Sequence, residues 1–225
     1  MGVIENGTEQ DRPGIYSVLK EIRTPSDNAV NGSTYNPLEY AIAVSYYNVS
    51  FPEGYEITLD MPDVISLENM FMQAKGLKKV TIKGNKSGNA LNMNYLCASC
   101  TSNKPHPIEV IDFTDFNLKI STCDYAFYGA SNLREIKGLI DLSQCTSAMN
   151  VFYNCTALED FRLVPLCVAY GLEITSTDKL SAKTRQSIVE ALNPVGGVLK
   201  LHSEVVMKFT QEQLTEIINK NWRIQ

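Results

Sequence analysis

Histidine is scarce in this 225-residue chain, with two copies, and tryptophan occurs once. Sites that depend on clustered imidazoles are hard to build from so few. Basic residues never run longer than Lys78-Lys79, and the net charge is −5. A nucleic-acid partner wants a basic face, so none is expected. The acidic balance reads as an ordinary solvated surface. No stretch approaches the roughly 18 apolar residues of a spanning helix, so no membrane insertion is expected. The opening Met1-Gly-Val-Ile-Glu-Asn-Gly-Thr-Glu has no basic region followed by an apolar one and does not read as a signal peptide. Asn6 stands where a myristoylation signal wants Ser or Thr.

A catalytic set is missing as well. His106 and His202 fall in different parts of the chain, and neither sits in a known catalytic string. Gly196-Gly197 leads into an apolar strand pattern instead of the Lys-Ser helix start of a phosphate loop. Carboxylate pairs such as Asp112 with Asp115, or Glu159 with Asp160, fall on turns and strand edges, where they read as solvent-facing charge. The expectation is a protein without enzymatic activity and without a cofactor.

What is present is periodicity. Phe127-Tyr-Gly-Ala-Ser-Asn-Leu133-Arg-Glu-Ile136 is followed 25 residues later by Phe152-Tyr-Asn-Cys-Thr-Ala-Leu158-Glu-Asp-Phe161. Each has an aromatic, a small residue three on, Leu six on and a large apolar residue nine on. Phe71-Met-Gln-Ala74-Lys-Gly-Leu77-Lys-Lys-Val80 obeys the same rule, and Met93-Asn-Tyr-Leu96-Cys97-Ala-Ser-Cys100 supplies a copy between them, with Cys97 in the aromatic place. The flanking columns agree. Val64, Ala90, Ile120 and Cys145 stand seven before the aromatic position. Leu67, Met93, Cys123 and Ala148 stand four before it, and Met70, Leu96, Ala126 and Val151 one before. All are apolar or small, as stacked units sharing one core require. In each unit the segment Val80-Thr-Ile82, Ile111-Asp-Phe113, Ile140-Asp-Leu142 or Phe161-Arg-Leu163 alternates apolar and polar, which predicts a half-buried strand. Parallel strands from successive units would form one narrow sheet.

Five of the six cysteines (Cys97, Cys100, Cys123, Cys145, Cys155) fall in these apolar columns. They read first as reduced core residues. A disulfide, or a metal half-site at Cys97-x-x-Cys100 with His106, is the lesser alternative, because a second Cys-x-x-Cys is lacking.

The run Ala126-Phe-x-x-Ala-x-x-Leu-x-x-Ile resembles the BspA-type leucine-rich repeat. Asp141-Leu-Ser-Gln-Cys-Thr-Ser-Ala-Met-Asn-Val-Phe152-Tyr-Asn-Cys155 is similar to that family's "LDTS…VTNM…MFYGC" variant. The resemblance covers roughly residues 55 to 165. Cys97 departs from it at the aromatic, and Gly138-Leu139 loosens the strand register of the third coil. It implies an α/β leucine-rich-repeat solenoid of about four to five coils with one narrow parallel sheet. It also implies extracellular or virion surface proteins that bind other proteins or host surfaces.

The expected organisation has three parts. Residues 1–54 form an N-terminal arm and capping or attachment segment. Pro13 opens a short helix with Ile15, Val18, Leu19 and Ile22 on one face, and residues 24–36 are a loop by composition. Residues 37–51 carry both a helix-start pattern at Asn36-Pro37 and a strand alternation from Leu38 to Tyr46. The Tyr and Val content tips the reading to strand. Residues 55–165 are the solenoid. Residues 166–225 form a helix-strand-helix cap, with Ser181 capping a helix to Leu192, Val198–Leu201 a strand, and Thr210-Gln-Glu-Gln213 a capping box. That ending resembles the closing module of gut-bacterial and phage repeat proteins of the same type.

Candidate binding residues follow from the predicted sheet. Thr58, Thr81, Asp112, Asp141 and Arg162 should face outward as one ladder, which reads either as a recognition face or as a plain wet face. His106, between Pro105 and Pro107 in the insertion 99–107, should be exposed and stiffly held. The function expected is a phage virion-associated recognition module on a tail or head fibre or decoration. The alternative is a bacterial cell-surface or secreted adhesin. Expected partners are a protein or host-surface glycan and other virion proteins, with homo-oligomers formed through the N-terminal segment.

Overall fold

The computed structural model describes residues 29–30, 33–34 and 46–225, apart from 63, 65, 87, 100–105 and 170. The expected helix after Pro13 and most of the 37–51 segment lie outside the described residues. So does Cys100. Within the expected 24–36 loop, β1 (Ala29–Val30) pairs antiparallel with β2 (Ser33–Thr34). The intervening Asn31-Gly32 is the dipeptide that most favours a two-residue hairpin.

The rest is a strand-rich α/β structure with several parallel sheets. The first contains β3 (Ser50–Met61), β4 (Lys75–Gly84), β6 (Val110–Asp112) and β8 (Glu135–Lys137), in that order. The second contains β5 (Leu91–Asn92), β7 (Leu118–Thr122) and β9 (Ile140–Asp141). The third, β10 (Gly171–Ile174), β11 (Gly197–Leu201) and β12 (Trp222–Ile224), belongs to the C-terminal part. The expectation of one narrow sheet is thus corrected to three parallel sheets. A second apolar-polar alternation, around Leu118-Lys-Ile120, forms strands of its own, so each turn of chain contributes to two faces.

Alternation explains the first sheet. Ile57, Leu59 and Met61 of β3 and Val80 and Ile82 of β4 are buried, while the residues between them are not. Ile57, Val80, Ile111 and Ile136 are successive register partners. Against the core lie Phe71, Cys97, Phe127 and Phe152, all buried. Phe127 and Phe152 stack at 5.6 Å with 10° between planes. Backbone hydrogen bonds link the same positions: Phe71 N–H donates to Leu96, Cys97 N–H to Ala126 and Phe127 N–H to Val151, at 2.7–3.0 Å. Tyr46 extends the row upstream, its N–H donating to Met70 and its buried ring stacked on Phe71 at 5.3 Å. The chain at 46–49 is therefore a turn and not the end of the expected strand.

The C-terminal part covers an edge. Helix α1 (Ala182–Ala191) is capped by Ser181, whose side chain accepts from Thr184 N–H. Two buried hydroxyls of α1 meet the backbone that no further strand pairs. Phe161 N–H donates to Thr184 Oγ1 at 3.2 Å and Leu163 N–H to Ser187 Oγ at 2.8 Å. Open strand edges invite aggregation, and side-chain acceptors on a helix close this one. The expected strand at 198–201 is β11, and the Thr210–Gln213 capping box opens α3 (Gln211–Asn219). Three features went unforeseen: the strands β10 and β12, and α2 (Ser203–Val206), which His202 caps through Nδ1. On α3, Ile217 is buried and Ile218 points out, because the short helix packs along one narrow stripe.

Candidate functional site

Three of the expected ladder residues stand in register. Thr58 pairs with Thr81, and Thr81 with Asp112. The next partner is Lys137, not Asp141. Asp141 lies on β9 in the second sheet, paired with Lys119. The fourth strand of the first sheet, after β6, is Glu135-Ile-Lys137, since Gly138 at φ 93° turns the chain before Ile140. A Cβ at Gly138 would lie 2.7 Å from the Phe113 carbonyl oxygen, so glycine is what allows the turn to sit there. The face therefore carries Thr58, Thr81, Asp112 and Lys137, a more evenly mixed charge than expected.

Asp141 and Arg162 both line a cleft of about 580 Å³, with Phe113, Thr114, Phe116 and exposed Leu139 among its other lining residues. Asp141 Oδ1 accepts from Ser143 N–H at 2.8 Å, an arrangement that fixes the carboxylate at the mouth of a turn. On the sheet, Asp112 Oδ1 accepts from Thr114 N–H at 3.0 Å. Partial burial pushes the Asp112 carboxyl up. The hydrogen bonds from Thr114 and the nearby Lys137 and Lys79 ammonium groups outweigh it, and the carboxyl lies below its ordinary value.

His106 is not exposed. It is 1% accessible, and both ring nitrogens are engaged. Nε2 donates to the Phe71 carbonyl at 2.8 Å, and Nδ1 accepts from Ile108 N–H at 3.4 Å. Burial lowers its pKa to about 4, so the ring is neutral at pH 7. The ring points into the core instead of out of it. It cannot serve as a surface contact.

The cysteines divide. Cys97, Cys123, Cys155 and also Cys167, which the columns do not include, are buried; Cys145 is half-buried. Ala148, expected to be covered, is exposed, and Ala90 is only half-buried. All five described cysteines are free, and among the described residues no three His, Cys, Asp or Glu side chains gather closely enough to hold a metal ion. No described helix is long and apolar enough to cross a membrane.

The most distinctive surface feature was not foreseen. Tyr95, Tyr125, Tyr128 and Tyr153 form a continuous run of rings. Tyr95 and Tyr125 stack at 5.2 Å with 4° between planes, Tyr125 tilts against Tyr128 at 5.7 Å, and Tyr128 stacks on Tyr153 at 5.0 Å. Tyr153 is 52% exposed and Met149 beside it 54%. The Tyr125 hydroxyl reaches Met149 Sδ at 3.4 Å.

The backbone under two of these rings is unusual. Asn69, Tyr95, Tyr125 and Asn150 each stand two before the buried row and all adopt φ of 53–56°. Asn tolerates this region, whereas a bulky side chain there costs on the order of 1–2 kcal/mol. Two tyrosines thus sit where asparagine does the same backbone task with less strain. The sequence signal was available: Tyr two before and one after the buried aromatic column. No family model, no curated protein and no solved structure matches this chain.

Proposed function

We propose that this chain is a non-enzymatic recognition protein built on a BspA-type leucine-rich-repeat solenoid over roughly residues 55–165, carried on a phage virion as part of a tail or head fibre or decoration. The tyrosine row is its contact surface. One observation carries the reading: Tyr95 and Tyr125 hold left-handed backbone positions that Asn69 and Asn150 occupy at lower cost. Strain at a bulky residue points to a task for its side chain. Tyrosine suits the task, because it offers a large rigid area with a polar tip and loses little entropy on binding. The solenoid itself is supported by hydrogen bonds between equivalent positions and by the buried row of Tyr46, Phe71, Cys97, Phe127 and Phe152.

The partner is a protein surface. Tyr95 on Tyr125 and Tyr128 on Tyr153 each cover a face of both rings, which leaves less open face for a sugar to lie on. Exposed Met149 and Tyr153 supply an adaptable apolar centre of the kind protein interfaces use. The test is fractionation of infected and uninfected cells with an antibody to the chain. Co-purification with intact virions supports the proposal. Recovery in cell envelopes without virions would replace it with the adhesin reading.

A further inference from the structure

We propose that Cys123 and Cys145 form a redox-modifiable dithiol, a site at which a low-molecular-weight disulfide joins two successive turns of the chain covalently. The two residues lie 22 positions apart, beyond the ends of β7 and β9, and their sulfurs are 3.8 Å from each other. No other pair of sulfurs is in contact among the described residues. The Ser147 carbonyl gathers both: Cys145 Sγ–H donates to it at 3.2 Å, and Cys123 Sγ lies 3.8 Å away. Cys123 N–H donates to the same oxygen at 2.9 Å. The backbone thus holds the two thiols on one point.

Access is asymmetric. Cys123 is 2% exposed, while Cys145 is half-buried, three residues before exposed Ala148. The hydrogen bond from Cys123 lowers the pKa of Cys145. The same contact, with burial, pushes Cys123 up. Cys145 is the attacking thiol and Cys123 the resolving one. Cys97, Cys155 and Cys167 lack this arrangement, since all are buried and burial raises their pKa values. Bond formation needs the sulfurs to close from 3.8 Å to about 2.05 Å. A cavity of about 40 Å³ lined by Cys123, Ile140, Leu142 and Ala148, among others, provides slack for that movement.

The chemistry balances as two exchanges. Cys145 gives its proton to solvent and its thiolate attacks one sulfur of the small disulfide RS–SR. A Cys145–S–SR bond forms, and RS⁻ leaves and takes up a proton. Cys123 then loses its proton and attacks the Cys145 sulfur, releasing the second RS⁻, which is protonated in turn. The protein gives up two hydrogens, and RS–SR becomes two RSH. Oxidation would follow transfer from a reducing to an oxidising compartment.

The experiment incubates the full chain with stepped ratios of oxidised to reduced glutathione. Free thiols are then alkylated in denaturant and the peptides mapped by mass. A linked Cys123–Cys145 peptide should be the first disulfide to appear. The oxidised protein should melt higher, by on the order of 5 °C, and dithiothreitol should reverse the shift. In Cys123→Ser, and in Cys123→Ala as a second packing test, glutathione should remain bound to Cys145. In Cys145→Ser, Cys123 should stay unmodified. The proposal fails if another pair links first. It also fails if wild-type Cys145 keeps a stable mixed disulfide, or if both thiols remain free while the other cysteines oxidise.

Discussion

His106 Nε2 donates to the carbonyl oxygen of Phe71, which lies 35 positions earlier in the chain, at 2.8 Å inside the core. The chain at 106–108 is thereby tied to Phe71. Phe127 offers a parallel case, where its carbonyl accepts from Cys155 Sγ at 3.0 Å. Each carbonyl also accepts from the N–H three residues on, Ala74 or Ala130 at 3.0 Å, so the side chain supplies a second donor.

Burial of the His106 ring should make stability fall in mild acid, and the bond to Phe71 only partly offsets it. The folded-state pKa of about 4 lies below the usual 6.5, so between those values the unfolded chain binds more protons. The contribution of neutral His106 is full above about pH 6.5 and is lost as pH drops toward 4, by on the order of 3 kcal/mol in all. Urea denaturation at pH 7 and pH 4.5 measures it. In His106→Gln the pH dependence over this window should flatten, even though the variant is less stable at pH 7.

Phe127→Ala should destabilise by roughly 3–5 kcal/mol, because the ring is buried and stacked against Phe152 and no neighbour can fill the gap. Tyr153→Ala removes a ring more than half exposed and should cost about 1 kcal/mol or less. Equilibrium unfolding of the two variants side by side checks the contrast. Equal losses would contradict the placement of the row.

Gly138→Ala should lose about 1–3 kcal/mol, since φ of 93° and the Phe113 carbonyl both oppose a Cβ. Gly54→Ala is the control. It also has positive φ, at 76°, but nothing lies within 4 Å of the added carbon, so its loss should be smaller. Thermal melts of both separate steric conflict from backbone strain.

Tyr125→Asn separates binding from folding. Asn69 and Asn150 already occupy equivalent backbone positions, so stability should stay within about 1 kcal/mol of wild type. Retention on virions should fall at least about tenfold if the ring is an interface anchor. Unfolding curves paired with a particle-binding assay read both. A variant that binds normally would remove the tyrosine row from the proposed contact.

Much of the fold was legible because burial at fixed intervals leaves a chemical trace. Phe71, Cys97, Phe127 and Phe152 could be aligned by spacing alone, and all are buried. Ser181 and the Thr210–Gln213 box announced their helices because a cap is satisfied within a few residues. The candidate site was less legible. Asp141 was assigned to the wrong ladder because Ile140-Asp-Leu142 and Glu135-Ile-Lys137 both alternate, and alternation does not say which sheet a strand joins. His106 between prolines looked like a surface tip because nothing local marks the Phe71 carbonyl that draws it inward.

The amino-acid order by itself determined which side chains must avoid water and where helices begin, since both depend on periodicity and nearest neighbours. Only the tertiary structure decided which polar groups meet. The register of Asp112 with Lys137, the approach of Cys123 to Cys145 and the stacking of Tyr95 on Tyr125 join residues 22–30 positions apart. Such contacts arise when backbone hydrogen bonds lock one turn over the next, and no short-range pattern encodes that register.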